Sequence, residues 1–243
     1  MKKQGINLGQ SVNQKENIGV LTYDIPHKKT FDTLCLLKAK GYRNVTVYAS
    51  PLHYTKKFHP YIIHRPEITA GIPDTKEICK NFDYEYREGD IGAHQTNHKM
   101  IYLVCGTGIL PEEFVKKNRV INSHPGYIPL ARGLDAFKWS VYKNLPIGVT
   151  THIIGEYIDA GEVIERRIVN IYEYDTFHLV AQRVYDNEID MLVGALELIH
   201  NEHCYIEPGD SIVHRRMPHE KELELYDRFE KMKAGLQDRL LAD

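Results

Sequence analysis

The chain has 243 residues, 42% of them hydrophobic and 26% charged, with a formal charge of −2 at neutral pH. Such values are ordinary for a globular chain with room for a sizeable core. They exclude the strong basic excess that an extended nucleic-acid footprint requires. No apolar run approaches the roughly 18 residues of a spanning helix, and nothing reads as a secretion signal. Cys35, Cys79, Cys105 and Cys204 form no CxxC pair, and Cys35 and Cys105 read as small core residues. The expectation is a reduced, cytoplasmic compartment with no membrane contact.

In chain order, residues 1–16 are polar and aperiodic and read as a flexible arm. NIGVLTYD (17–24) is a buried strand. TFDTLCLLKAKG (30–41) spaces Phe31, Leu34, Cys35 and Leu37 as a helix does and stops at Gly41. NVTVYAS (44–50) is a second strand, and strand–helix–strand with short loops predicts a parallel α/β sheet. YIIH (61–64) reads as a short strand, TKEICKNF (75–82) as a short helix, YREGDIGAHQTNH (86–98) as a loop and KMIYLVCG (99–106) as a strand. PEEFVKK (111–117) starts a helix with Pro and two acids in its first turn. VINSH (120–124) is the next strand, AFKWSVYKN (136–144) a helix, and VTTHIIG with EVIERRIVNI (149–171) a strand pair around EYIDAG. An amphipathic helix fits 175–201, its stripe from Phe177 to Leu198 serving core or dimer packing. PGDSIVHRR is then extended, and the tail from Glu220 is helical. The division expected is an arm at 1–16, a main domain at 17–201 and a C-terminal extension at 202–243 that contacts substrate or a second copy.

Ligands of a parallel sheet bind beyond the carboxyl ends of its strands. Asn122 and His124 stand at such an end, and Asp159, in a turn closed by Gly161, follows after room for one helix and one strand. If the EYIDAG loop folds over that end, its carboxylate reaches the imidazole. Amide, imidazole and carboxylate together suit attack of an amine on an activated acyl group. Amide N–H and protonated imidazole stabilise an oxyanion, while the carboxylate takes up the amine's proton. Each residue has a plainer reading: Asn122 and Asp159 as turn formers, His124 as a structural histidine, His152 as a core histidine. His94 and His98 are four residues apart but lie in a loop without acids, so no metal is expected. HRRMPHEKE (214–222) reads as a solvated surface or partner contact.

INSHPGYIPLARG paired with GVTTHIIGEYIDAGEVI resembles the folate-dependent formyltransferases. Their pattern is Asn-x-His-Pro, a Pro and an Arg/Lys-Gly, then Thr-x-His followed by Asp-Ala-Gly. Here it falls on Asn122, His124, Pro125, Pro129, Arg132, Gly133, Thr150, His152, Asp159, Ala160 and Gly161. The resemblance implies an α/β fold, a Rossmann-like mostly parallel sheet of the formyltransferase type with a short C-terminal extension. It makes Asn122, His124 and Asp159 the catalytic residues, with Thr150 and His152 behind them, and 10-formyltetrahydrofolate the formyl donor. The pterin would enter between CGTGILP and IGEYIDAG, with Cys105, Gly106, Thr107, Ile109, Leu110, Gly155, Tyr157 and Ile158 as contacts.

The acceptor is narrowed by what is missing. Glycinamide ribonucleotide formyltransferases carry a glycine-rich phosphate loop after the first strand, but no glycine lies here between Gly19 and Gly41. Methionyl-tRNA formyltransferases add a C-terminal barrel and a basic surface that this composition lacks. INxHPGxxPxxRG, matched in full from Ile121 to Gly133, resembles the sugar N-formyltransferases. That implies a nucleotide-linked amino sugar as acceptor, of the kind used in lipopolysaccharide O-antigen biosynthesis, and a possible homodimer. Cations for its pyrophosphate are Lys28, Lys29, Arg65, Arg132, Arg215 and Arg216; flat partners for its base are Tyr23, Tyr54, Tyr127 and Trp139. The alternatives are a divergent glycinamide ribonucleotide formyltransferase and a folate- or nucleotide-binding module without catalysis.

Overall fold

Ile18 to Thr22 are buried on both faces, as expected of a strand in the middle of a parallel sheet covered by helices. In the computed structural model, which describes residues 16–52, 58–66, 71–155, 158–207 and 211–240, this strand is the centre of the fold. The strands are β1 (Asn17–Tyr23), β2 (Val45–Ser50), β3 (Glu85–Glu88), β4 (Met100–Val104), β5 (Arg119–His124), β6 (Arg132–Gly133), β7 (Gly148–Ile153), β8 (Gly161–Ile168), β9 (Cys204–Ile206) and β10 (Val213–His214). The helices are α1 (Lys28–Ala39), α2 (Thr75–Phe82), α3 (Glu112–Lys117), α4 (Ala136–Tyr142), α5 (Phe177–Leu198), α6 (His219–Glu222) and α7 (Leu225–Leu240).

The main sheet has the order β3-β2-β1-β4-β5-β7-β8-β9. Its first five strands run parallel; β7, β8 and β9 each pair antiparallel with the strand before them. The direction of the sheet therefore reverses between β5 and β7. One core cluster lies between the parallel strands, α1, α2 and the C-terminal half of α5; another joins α4, the N-terminal half of α5 and α7 through Phe137, Phe177 and Phe229. The start of α5 is fixed by Thr176, whose side chain accepts from the Leu179 N–H at 3.2 Å.

Two expectations about local structure need correction. YIIH is not a strand: Ile62 is buried in the α4/α5/α7 cluster, while Tyr61 and Ile63 face solvent. The supposed loop beginning at Tyr86 contains most of β3, a polar edge strand paired with β2. After α5 the chain returns to the same body. β9 extends the main sheet, β10 pairs in parallel with β6, and α7 buries Leu225, Phe229 and Met232.

Candidate active site

At the reversal, β5 and β7 set Asn122 opposite His152 and His124 opposite Thr150. Period-two alternation puts all four on one face of the sheet. The Asn122 amide Nδ2 is 3.5 Å from His152 Nε2. Asp159 Oδ1 lies 3.5 Å from His124 Nδ1 and 3.7 Å from His152 Nε2. These separations are long for hydrogen bonds, as is common in catalytic sites without substrate. Asp159's other oxygen is firmly held: the Gly133 N–H donates to Oδ2 at 2.8 Å. The two motifs thus converge on one carboxylate.

The two imidazoles differ. His124 faces an acceptor from each ring nitrogen, Asp159 from Nδ1 and the Ala131 carbonyl, 3.0 Å from Nε2. Burial lowers His152 to about 4 against the opposing pull of Asp159, so it is neutral at pH 7. Its Nδ1 lies 3.3 Å from the Ile153 carbonyl. With the proton there, Nε2 can accept from the Asn122 amide and orient it.

The turn after His124 leaves no spare volume. A Cβ on Gly126 would sit 2.5 Å from the Ala131 carbonyl oxygen and 2.7 Å from His124 Nε2. Thr150 Oγ1 donates to the Gly126 carbonyl at 2.9 Å and accepts from the Ile128 N–H at 3.0 Å, closing the turn, which includes a cis Ile128–Pro129 bond. Thr150 therefore holds the segment that carries His124.

Arg132 is not an anion contact. It is buried, and its Nε donates to the carbonyls of Ile158 and Asp159, each at 3.0 Å. Nη2 donates to Ile158 as well, and Nη1 to Ser211 Oγ at 3.0 Å. The guanidinium ties the Asp159 loop to the strand segment that contains β10.

Most other proposed acceptor contacts are also engaged within the protein. Arg65 Nη2 donates to both oxygens of Glu188 at 2.6 Å, and Lys29 lies 2.7 Å from the same buried carboxylate. Burial pushes the Glu188 carboxyl up, but Arg65 and Lys29 outweigh it and bring it to about 2. Lys28 pairs with Asp32 at 2.8 Å. The Tyr23 hydroxyl donates to the Thr107 carbonyl at 2.8 Å. Tyr127 lies half-buried beneath Arg166. Trp139, expected to stack on a base, is a buried residue: its ring stacks on His214 at 4.4 Å and its Nε1–H donates to the Arg215 carbonyl. Arg215 is exposed. Tyr54 and Tyr157 lie outside the described residues.

The pterin loops fit the expectation in part. The N–H groups of Cys105 and Gly106 both donate to the Leu21 carbonyl at 3.0 Å, so neither can pair with a ligand. The Cys105 thiol is buried, and burial pushes it up to about 11, as for a structural cysteine. Gly106 is required by crowding, since its Cβ would meet the Tyr23 ring at 2.7 Å. Ile109 is fully exposed and Ile158 largely so, while Gly155 is open to solvent and Leu110 packs partly against the α3 side of the core. Two uncovered isoleucines, one on each of these loops, suit an apolar, flat ligand. Among the described residues no group of His, Cys, Asp and Glu is arranged to hold a metal, and no helix is long and apolar enough to cross a membrane.

The strand order and the Asn–His–Asp cluster at the reversal define a formyltransferase-type α/β fold. Residues 81–196, which hold both motifs, match the family model described as Formyl transferase. Over 138 residues the chain is 32% identical to the trifunctional purine biosynthetic protein adenosine-3 of Chironomus tentans, covering 54% of this chain and 10% of that protein. The chain spans between 10% and 36% of the length of the curated relatives that head the comparison. The formyltransferase PseJ from Anoxybacillus kamchatkensis, solved with UDP-4,6-dideoxy-4-formamido-L-AltNAc and tetrahydrofolate, is 26% identical. It superposes with a TM-score of 0.51 over 66% of this chain and 94% of that one. A 4-N formyltransferase from Francisella tularensis shares the fold with a TM-score of 0.57 at 17% identity, covering 88% of this chain and 87% of that one.

Proposed function

We propose that this protein transfers a formyl group from 10-formyltetrahydrofolate to the amine of a nucleotide-linked amino sugar. The observation that carries the reading is the placement of Asp159. One carboxylate oxygen is held by a backbone N–H and the other is directed at His124 and His152, beside the Asn122 amide. The folate supplies an activated formyl carbon whose nitrogen can leave as an amine. The chain's own groups do the rest. The Asn122 amide N–H and the His124 ring stabilise the charge that develops on the formyl oxygen. Asp159 accepts the proton released as the sugar amine forms its bond to the formyl carbon. The carbon–nitrogen bond to the folate then breaks, and that proton is returned to the leaving nitrogen, so the site ends as it began. His152, neutral and buried, orients Asn122.

Two features support the sugar acceptor. The segment between β1 and α1 offers no phosphate cradle: it has no glycine, and Lys28 is bound to Asp32. PseJ, similar over most of its length, was solved with a UDP-linked formamido sugar and tetrahydrofolate. On this reading the product is a surface-polysaccharide precursor made in the cytoplasm. A second reading, a purine precursor such as glycinamide ribonucleotide as acceptor, is favoured by the 32% identity to the adenosine-3 protein. Incubation with formyl donor and a panel of nucleotide-linked amino sugars plus glycinamide ribonucleotide decides between them. A gain of one formyl mass on an amino sugar is expected; formylation of glycinamide ribonucleotide alone would overturn the sugar assignment.

A further inference from the structure

Two segments outside the family match are fastened beside the site, one at 58–66 and one at 211–222. The second starts within reach of the catalytic acid. Gly133, whose N–H holds Asp159, pairs with His214, and the Leu134 N–H donates to the His214 carbonyl. Three residues on, the Met217 N–H donates to Asp135 Oδ2 at 2.9 Å, and Arg216 Nη1 lies 3.6 Å from Asp135 Oδ1. Asp135 is two residues from Gly133, at most about 7 Å of chain. Arg216 therefore lies on the segment that adjoins the Gly133 contact to Asp159.

Arg216 also lies over the Phe58 ring at 5.8 Å, where the first segment begins. There His219 stacks with Phe58 at 5.0 Å and with Tyr61 at 4.0 Å, and its Nε2 is 2.9 Å from the His59 carbonyl. Tyr61 is 62% exposed, yet its backbone is fixed: its N–H donates to Glu222 Oε2 at 2.8 Å. Glu222 is 0% exposed and pairs with the buried Lys138 at 2.5 Å. A buried ion pair is a costly way to position a chain segment. Here it presents an aromatic ring to solvent that no core needs.

The same segment continues to His64 and Arg65, which line a small cavity with Pro125, the residue after His124. Arg65, Lys28, Lys29 and Arg132 are engaged by carboxylates or carbonyls. Arg216 has one loose ion pair and a side chain 46% exposed. An exposed, rigidly held aromatic ring beside an underused guanidinium matches a nucleoside diphosphate, with a flat base to stack and a diphosphate to receive N–H donors.

We propose that Tyr61, backed by His219, and Arg216 form the subsite for the nucleoside diphosphate part of the acceptor, the base on Tyr61 and the diphosphate at Arg216. This rests on the reading of the acceptor as nucleotide-linked. The test titrates thymidine, uridine and guanosine diphosphates, and the free nucleosides, into the whole chain by calorimetry, alongside Tyr61→Ala, Tyr61→Phe and Arg216→Gln. Tyr61→Ala should weaken the preferred diphosphate about tenfold or more, the scale of one base–aromatic stack, while Tyr61→Phe stays close to wild type. Arg216→Gln should weaken the diphosphate and leave the free nucleoside unaffected. In turnover, both weakening variants should raise KM for the amino sugar, with kcat and the KM for the folate nearly unchanged. Unchanged nucleotide affinity in both variants, with the wild type binding and turning over, would overturn the subsite alone. So would a change of oligomeric mass in Tyr61→Ala, which would make the patch a contact between copies. A wild type that formylates an amine but binds no nucleoside diphosphate would overturn the acceptor reading and the subsite with it.

Discussion

The reacting end of the sheet and the flank beside it are held by different means. Asn122, His124 and His152 are set by the β5–β7 ladder, and Asp159 by a backbone N–H. Positions follow from main-chain geometry, and the residues fall in two short motifs. Apart from the short β6–β10 pairing, the flank built from 58–66 and 211–222 is held by side chains reaching between remote segments: Glu188 to Arg65 and Lys29, Glu222 to Lys138 and Tyr61, Arg132 to Ser211. Backbone pairing fixes position to within a few tenths of an ångström and tolerates little change. Ion pairs between loops can be exchanged one at a time. On the proposed function, chemistry falls to the first region and selection of the acceptor to the second.

The largest effect should come from the first region. Asn122→Ala or His124→Ala should lower kcat by about 10²–10³, the scale of one lost oxyanion donor, with circular dichroism and melting unchanged. Near-wild-type turnover in both would place the chemistry elsewhere. The second region should fail in stability before catalysis. Glu222→Gln leaves Lys138 charged and unpaired in the core and should cost about 3–5 kcal/mol in denaturant unfolding, whereas Lys138→Met with Glu222→Leu should recover most of it. An equally unstable double variant would show that the pair matters for something besides its charge.

Arg132 joins the two regions. Arg132→Lys loses the fork that spans Ile158, Asp159 and Ser211. We expect about 2 kcal/mol of stability lost, on the scale of hydrogen bonds from a charged donor. A lower kcat should accompany it, because the Asp159 loop is freed. A change in KM for the amino sugar alone would make it a substrate contact after all.

The smallest effect should be a pH slope. His152 and His27 are both lowered to about 4 from 6.5, burial being the first cause for each. Between those values the unfolded chain binds protons that the folded chain refuses, so stability falls as pH drops through that window. Glu188, at about 2 against 4.5, adds a loss of the same sign at lower pH. His27→Gln should flatten the upper part of the slope in denaturant midpoints measured between pH 7 and 5; an unchanged slope would show that His27 protonates freely in the folded state.

The asymmetry between regions also decided what the sequence disclosed. β1, β2, β4, β5 and the α5 helix were visible because burial imposes a period, and the Asn122–His124–Asp159 cluster was visible because its residues lie in short motifs. β3 escaped because EYRE lies at an edge with no buried face to impose alternation. β9 is too short to carry any pattern. Arg132 was misread because its partners are main-chain carbonyls 26, 27 and 79 residues away, which leave no trace in residue type. Trp139 was misread because an indole that stacks on His214 in the interior looks, in sequence, like one waiting for a base. The pairing of Tyr61 with His219 could not be anticipated at all: the first lay in a stretch read as a strand, the second in one read as solvated surface.

Gly133 is where the two systems meet, and it leaves evolution little room. Its φ of +86° and a would-be Cβ 2.2 Å from the His214 carbonyl oxygen both forbid a side chain. Any other residue there would displace the C-terminal segment and release Asp159 in a single step. On the proposed function, a change of substrate and a loss of reaction are therefore the same mutation at this position.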